Sequence, residues 1–175
     1  MRQQSLHPGD VVVALQLALH NERPLSEVAV GSARSIGEVH NAISRLRSSG
    51  LVDPDTRRVE REPLLQFIRW GVAYAFPPAI GGSTVGVATA SLDGSPSGTG
   101  GVPAQVEFVW PSSAGTSRGA ALAPLHPRVP ELAEHNPRLY ALLAAVDLIR
   151  VGGARERTAA SAHLARLLAE PEAHE

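Results

Sequence analysis

A chain of 175 residues is long enough for one medium domain or two small ones, and 43% hydrophobic residues suffice for a core. It has no cysteine, which excludes a disulfide framework and a thiolate zinc site, and no apolar run approaches the width of a bilayer. The net charge is -1 and all sixteen basic residues are arginine, so any nucleic-acid footprint must be a local patch rather than a field of the whole molecule.

The start "MRQQSLHPGD" lacks the apolar centre of a signal peptide, and a cytoplasmic protein is the default. Residues 8–20 read as a first helix, with Val12, Leu15 and Leu19 on one face and Asp10 placed to cap its start. Three successive valines count against it, because β-branched side chains lose rotamer freedom in a helix. "NERP" breaks the chain, and a short second helix over 24–30 follows, with Gly31 as its stop. The third helix has the strongest signals. Ser35 and Glu38 form a capping box, and Val39, Ile43 and Leu46 make an apolar stripe that ends at Gly50. "LVDPDTRRV" is then a small hairpin, two short extended runs around an Asp-Pro turn.

A fourth helix is expected over 63–76, carrying Leu64, Leu65, Ile68 and Val72, with Phe67 and Trp70 widening its apolar face. Residues 77–101 are poor in charge and rich in Gly, Ser, Ala and Thr. "GGSTVG" (81–86) reads as loop, and "SLDGSPSGTGG" (91–101) has the composition of a flexible loop. "QVEFVW" alternates Val106, Phe108 and Trp110 on one face and could pair with "RGAALAPL" as a hairpin across "PSSAGT". The end is helical, over 137–150 with Leu139, Leu142, Leu143, Val146 and Ile149, and over 154–170 with Leu164, Leu167 and Leu168. These apolar positions exceed what one seam between two helices needs. Either the fourth helix or a second copy of the chain must cover them, and a homodimer is the favoured reading.

The face of the third helix opposite its stripe carries Gly37, His40, Asn41, Ser44 and Arg45, with Ser35 at its start and Arg57 and Arg58 on the hairpin. Asn can pair two-pronged with adenine and Arg with guanine, while Ser and His suit phosphate or base edges. Glu38 either caps only or accepts from a cytosine amino group. Arginines in a wing suit phosphates or a minor groove. Between Arg34 and Arg61 six arginines face four acids, a modest surplus, and a polar outer face is also what any solvent-exposed helix shows.

The order of these parts carries a resemblance. "LSEVAVGSARSIGEVHNAISRLRSSGLV" is similar to the helix-turn-helix core of winged-helix transcriptional regulators of the multiple-antibiotic-resistance regulator type. It matches at Leu25, Glu27, Val28, Ala29, Ser35, Val39, Ile43, Leu46, Gly50, Leu51 and Val52, although the turn lacks the family's glycine-leucine step. The resemblance implies sequence-specific binding of double-stranded DNA and transcription regulation by a homodimer. The expected fold is α+β, mainly α. A winged helix-turn-helix over 1–76 precedes a loop-rich and helical region over 77–175 that serves dimerisation or a protein partner. The layout also resembles partners in toxin-antitoxin or defence operons, which leaves a protein-interaction module as the alternative.

No enzyme signature appears. A P-loop needs lysine, and "GSPSG" has Pro96 where a nucleophile elbow needs serine. The seven histidines are scattered without ligand spacing, so no metal or other cofactor is expected, and His126 and His135 read as surface or loop residues.

Overall fold

Apolar residues surround the whole circumference of the first helix, and the fold follows from that. The computed structural model describes residues 4–20, 23–92 and 107–169. In it α1 (Pro8–Leu19) buries every residue from Gly9 to Leu19. It runs between α2 (Leu25–Gly31) and α3 (Ile36–Ser48) on one side and α7 (Pro137–Val151) on the other. Burial of this kind is worth roughly 1.5 to 3 kcal/mol for each large side chain, which outweighs the rotamer penalty of Val11, Val12 and Val13.

The expected fourth helix is divided into α4 (Arg61–Trp70) and α5 (Val72–Ala75), with the break at Gly71. A helix that the sequence pattern did not reveal, α6 (Val129–His135), precedes α7, and α8 (Ala154–Ala169) follows it. α7 is buried from Leu142 to Arg150 and packs on α1, α5, α6 and α8. The seam expected to await a second copy is therefore corrected: Leu139, Leu142, Leu143, Val146, Ile149, Leu164 and Leu168 lie in the chain's own core. One continuous hydrophobic cluster joins Val11 to Leu168, so residue 76 marks no break in the core. Among the described residues, no helix is long and apolar enough to cross a membrane.

The strands depart furthest from expectation. "GGSTVG" is part of β1 (Ile80–Thr89), and β2 (Phe108–Pro111) and β3 (Ser117–Leu122) do not form a hairpin with each other. Both pair antiparallel with β1, Val87 opposite Trp110 on one side and Thr84 opposite Gly119 on the other. They then meet in parallel, Phe108 opposite Ala120, and close a ring of three strands. Val106 and most of the glycine- and serine-rich stretch at 91–101 lie outside the described residues.

So small a ring brings backbones closer than a side chain allows. A Cβ on Gly86 would sit 2.0 Å from the Trp110 carbonyl oxygen. Gly86→Ala is expected to destabilise the fold by about 1 to 3 kcal/mol, as other overpacked sites do. Gly82→Ala, where a Cβ meets nothing within 4 Å, is expected to stay within about 0.5 kcal/mol. Thermal melts followed by circular dichroism separate the two; equal effects would show that the ring is not closed at Gly86.

A buried polar cluster ties the ring to α7. Asp147 accepts from Trp110 Nε1 at 2.6 Å, from Thr89 Oγ1 at 2.9 Å and from Arg150 Nη1 at 2.7 Å. Arg150 also donates to the carbonyls of Phe76, Ala123 and Pro77. Tyr140 stacks edge-on against Trp110 and donates its hydroxyl to the Ala88 carbonyl at 2.8 Å. Each buried polar group thus has a partner from another element, which such groups need to offset their lost hydration.

Candidate nucleic-acid interface

α2, a tight turn, α3 and a one-bridge hairpin are contiguous on the surface, and their local chemistry accounts for each junction. α2 closes by a Schellman motif, with Arg34 N–H donating to Ala29 O at 2.9 Å and Ala33 N–H to Val30 O at 3.0 Å. The left-handed position is therefore Ala33, at φ +51°, not Gly31, which is the last helical residue. An alanine in that region stores about 1 kcal/mol of strain or more. Ser32, fully buried, donates its hydroxyl to Val28 O at 2.6 Å and holds the turn.

α3 starts at the expected capping box. Glu38 N–H donates to Ser35 Oγ at 3.2 Å, and the Glu38 carboxylate accepts from the Ser35 N–H at 2.8 Å and its hydroxyl at 2.7 Å. Those bonds to Ser35 hold the Glu38 carboxyl below its ordinary value, so it acts as a charged cap. The helix ends by the same Schellman motif with Gly50 at φ +71°, and Leu51 N–H donates to Leu46 O at 2.9 Å. Val39, Ala42, Ile43 and Leu46 face the core.

The outer face carries Gly37, His40, Asn41 and Ser44, all exposed. A Cβ on Gly37 would meet nothing within 4 Å, so this turn of backbone is open to close approach. Ser44 donates to Gln4 Oε1 at 3.3 Å, which places the segment before α1 beside the same face.

Arg45 does not join that face. Its guanidinium forms a two-pronged ion pair with Asp10, Nε to Oδ2 and Nη2 to Oδ1, both at 2.7 Å, and the Asp10 side chain is 0% exposed. The hydrogen bonds to Asp10 raise the Arg45 pKa further. The expectation of Arg45 as a base reader is corrected to a clamp between α3 and α1. The signal was in α1: a lone carboxylate in a helix that is apolar all round requires a cationic partner.

Arg47, unremarked in the sequence, lies on the opposite flank. Its Nη2 donates to Thr56 O at 2.8 Å and joins α3 to the hairpin. The hairpin itself is one bridge, Val52 opposite Val59. Asp53 builds its turn by accepting from the N–H groups of Asp55 at 3.0 Å and Thr56 at 2.6 Å, and the Thr56 bonds hold its carboxyl below the usual range. Arg57 is half-buried and donates to the Arg23 carbonyl at 3.4 Å, while Arg58 is exposed.

Arg128 and His126 approach from outside the helical pair. Arg128 donates to the Ala33 carbonyl at 3.4 Å and to Glu131 at 2.8 Å. His126 is half-buried beside Arg34 and Arg128, and burial, reinforced by Arg34, pushes its pKa down, so its ring is neutral near pH 7. The surface is also partly apolar, since Val30 is 80% and Ile36 52% exposed on either side of the turn. Compared with protein-family models, curated proteins and solved structures, the chain matches none.

Proposed function

We propose that the chain binds double-stranded DNA as a winged helix-turn-helix, with α3 as the reading helix and the 52–59 hairpin as its wing, and that it regulates transcription. The observation that carries this is the division of α3 into one face locked to the core and one exposed face of Gly37, His40, Asn41 and Ser44, with Ile36 exposed beside them in the first turn. A major groove admits such a helix, and Asn41 offers a two-pronged partner for adenine. Arg47 and Arg58 supply phosphate contacts at the wing side, and the open backbone at Gly37 allows close approach near the helix start.

Duplex affinity is expected to fall steeply with salt, because each arginine-phosphate contact releases counterions. Asn41→Ala is expected to relax base preference at one or two positions by roughly 1 to 3 kcal/mol, whereas Arg58→Ala weakens all sequences alike and flattens the salt slope. Fluorescence anisotropy on fragments of the gene's own upstream region tests both. Salt-independent binding, or no binding at about 50 mM salt, overturns the reading. Exposed Val30 and Ile36 favour a second one, in which the same helix pair docks a protein as in an antitoxin-like partner. Loss of that binding on Val30→Ser with duplex affinity unchanged would identify it.

A further inference from the structure

The exposed side of α3 consists of two neighbouring rows. His40 and Ser44 follow Ile36 at helical steps of four, and Asn41 follows Gly37 at the same step. All are polar or lack a side chain except Ile36, an isoleucine 52% exposed in the first turn.

Neither the helix nor the core calls for an apolar group there. Ser35 and Glu38 cap the helix start through their own bonds. Val39, Ala42, Ile43 and Leu46 supply the helix's part of the hydrophobic cluster, and Ile36 lies outside it. A β-branched side chain is also a poorer helix former than many polar ones, so local propensity does not select it.

The major groove has one feature that an exposed isoleucine matches. Its base edges present hydrogen-bond donors and acceptors, and beside them the methyl group on C5 of thymine, which 5-methylcytosine carries at the same place. Polar side chains read the former, and an apolar side chain reads the latter. Gly37, next to Ile36, adds no obstacle: a Cβ there would meet nothing within 4 Å, so a base edge can come up to the first turn.

We infer that Ile36 packs on a pyrimidine 5-methyl group in the major groove and adds a methyl preference to the hydrogen bonds of Asn41. This rests on the duplex reading of α3, and its test separates the two.

The full chain is titrated, by fluorescence anisotropy at fixed salt, against the gene's upstream fragment in three forms: ordinary, with uracil for thymine, and with 5-methylcytosine for cytosine. Uracil removes the methyl group and keeps the hydrogen-bonding edge of the base. Wild type is expected to bind the thymine duplex about fourfold more tightly than the uracil duplex for each methyl group buried. Ile36→Ser is expected to bind both alike, and Ile36→Val to keep part of the difference. The position is exposed, and circular dichroism checks that each variant is folded. A wild type that instead gains affinity on the 5-methylcytosine duplex, and loses that gain in Ile36→Ser, identifies methylated cytosine as the group contacted. Duplex binding that is indifferent to both replacements, or a methyl preference that survives Ile36→Ser, overturns the inference and leaves α3 as the reading helix. Absence of duplex binding overturns both.

Discussion

Replacing Arg150 by Met is expected to lower the free energy of unfolding by about 3 to 5 kcal/mol near pH 7, the range for breaking a buried ion pair from one side. Arg150 is 5% exposed, and Met fills much of its volume while removing every donor. The carbonyls of Phe76, Pro77 and Ala123 lose a partner, and Asp147 is left charged at 1% exposure. Burial already pushes the Asp147 carboxyl up, against the pull of Arg150, Trp110 and Thr89. Without Arg150 it moves higher. A carboxyl whose pKa is higher folded than unfolded takes up a proton on folding between those two values, so falling pH in that window favours the fold. The gap between variant and wild type is therefore expected to narrow from about pH 7 to about pH 5, as read from urea midpoints. A gap that widens on acidification would show that the lost carbonyl bonds, not the stranded carboxylate, set the loss.

Arg45→Ala is expected to destabilise the chain by about 3 kcal/mol, because it leaves the Asp10 carboxylate buried with only the His7 N–H, at 2.8 Å, to accept from. Asn41→Ala, four residues back on the exposed face, is expected to stay within about 0.5 kcal/mol. Chemical denaturation at neutral pH distinguishes a clamp from a reading residue. Equal midpoints for the two variants would return Arg45 to the DNA-reading set. The double change Asp10→Leu with Arg45→Met removes both charges together and is expected to recover much of the loss, since neither is then left unpaired.

What was legible in the sequence is what is local. The capping box of Ser35 and Glu38, the stripe of Val39, Ile43 and Leu46, and the helix starting at Pro137 depend on neighbours within a few residues and stand as read. α6 was hidden because seven residues bounded by prolines carry too little periodicity to show. β1 was hidden because glycine ordinarily weakens a strand, and only a ring tight enough to exclude a Cβ at Gly86 makes it necessary. The alternation through Phe108 and Trp110 revealed a strand but not its partner, β1, which pairs Thr89 with Phe108 and Val87 with Trp110 from far upstream. Of the candidate site, Gly37, His40, Asn41 and Ser44 follow from the wheel of one helix. Arg45 required knowing that Asp10, 35 residues earlier, lies across from it.

The complete burial of α1 has a consequence for the order in which the molecule can assemble. Residues near the start of the chain are covered on one side by α3 and on the other by α7, which begins only at Pro137. During synthesis the helix pair around α3 emerges early, yet the helix it rests on stays half-wet until the last third of the chain has left the ribosome. The sites that fix the whole, Asp10 with Arg45 and Asp147 with Trp110, close contacts across 35 and 37 residues. α1 is therefore expected to pack on α2 and α3 first and to reach its full burial only when α7 docks on its other side.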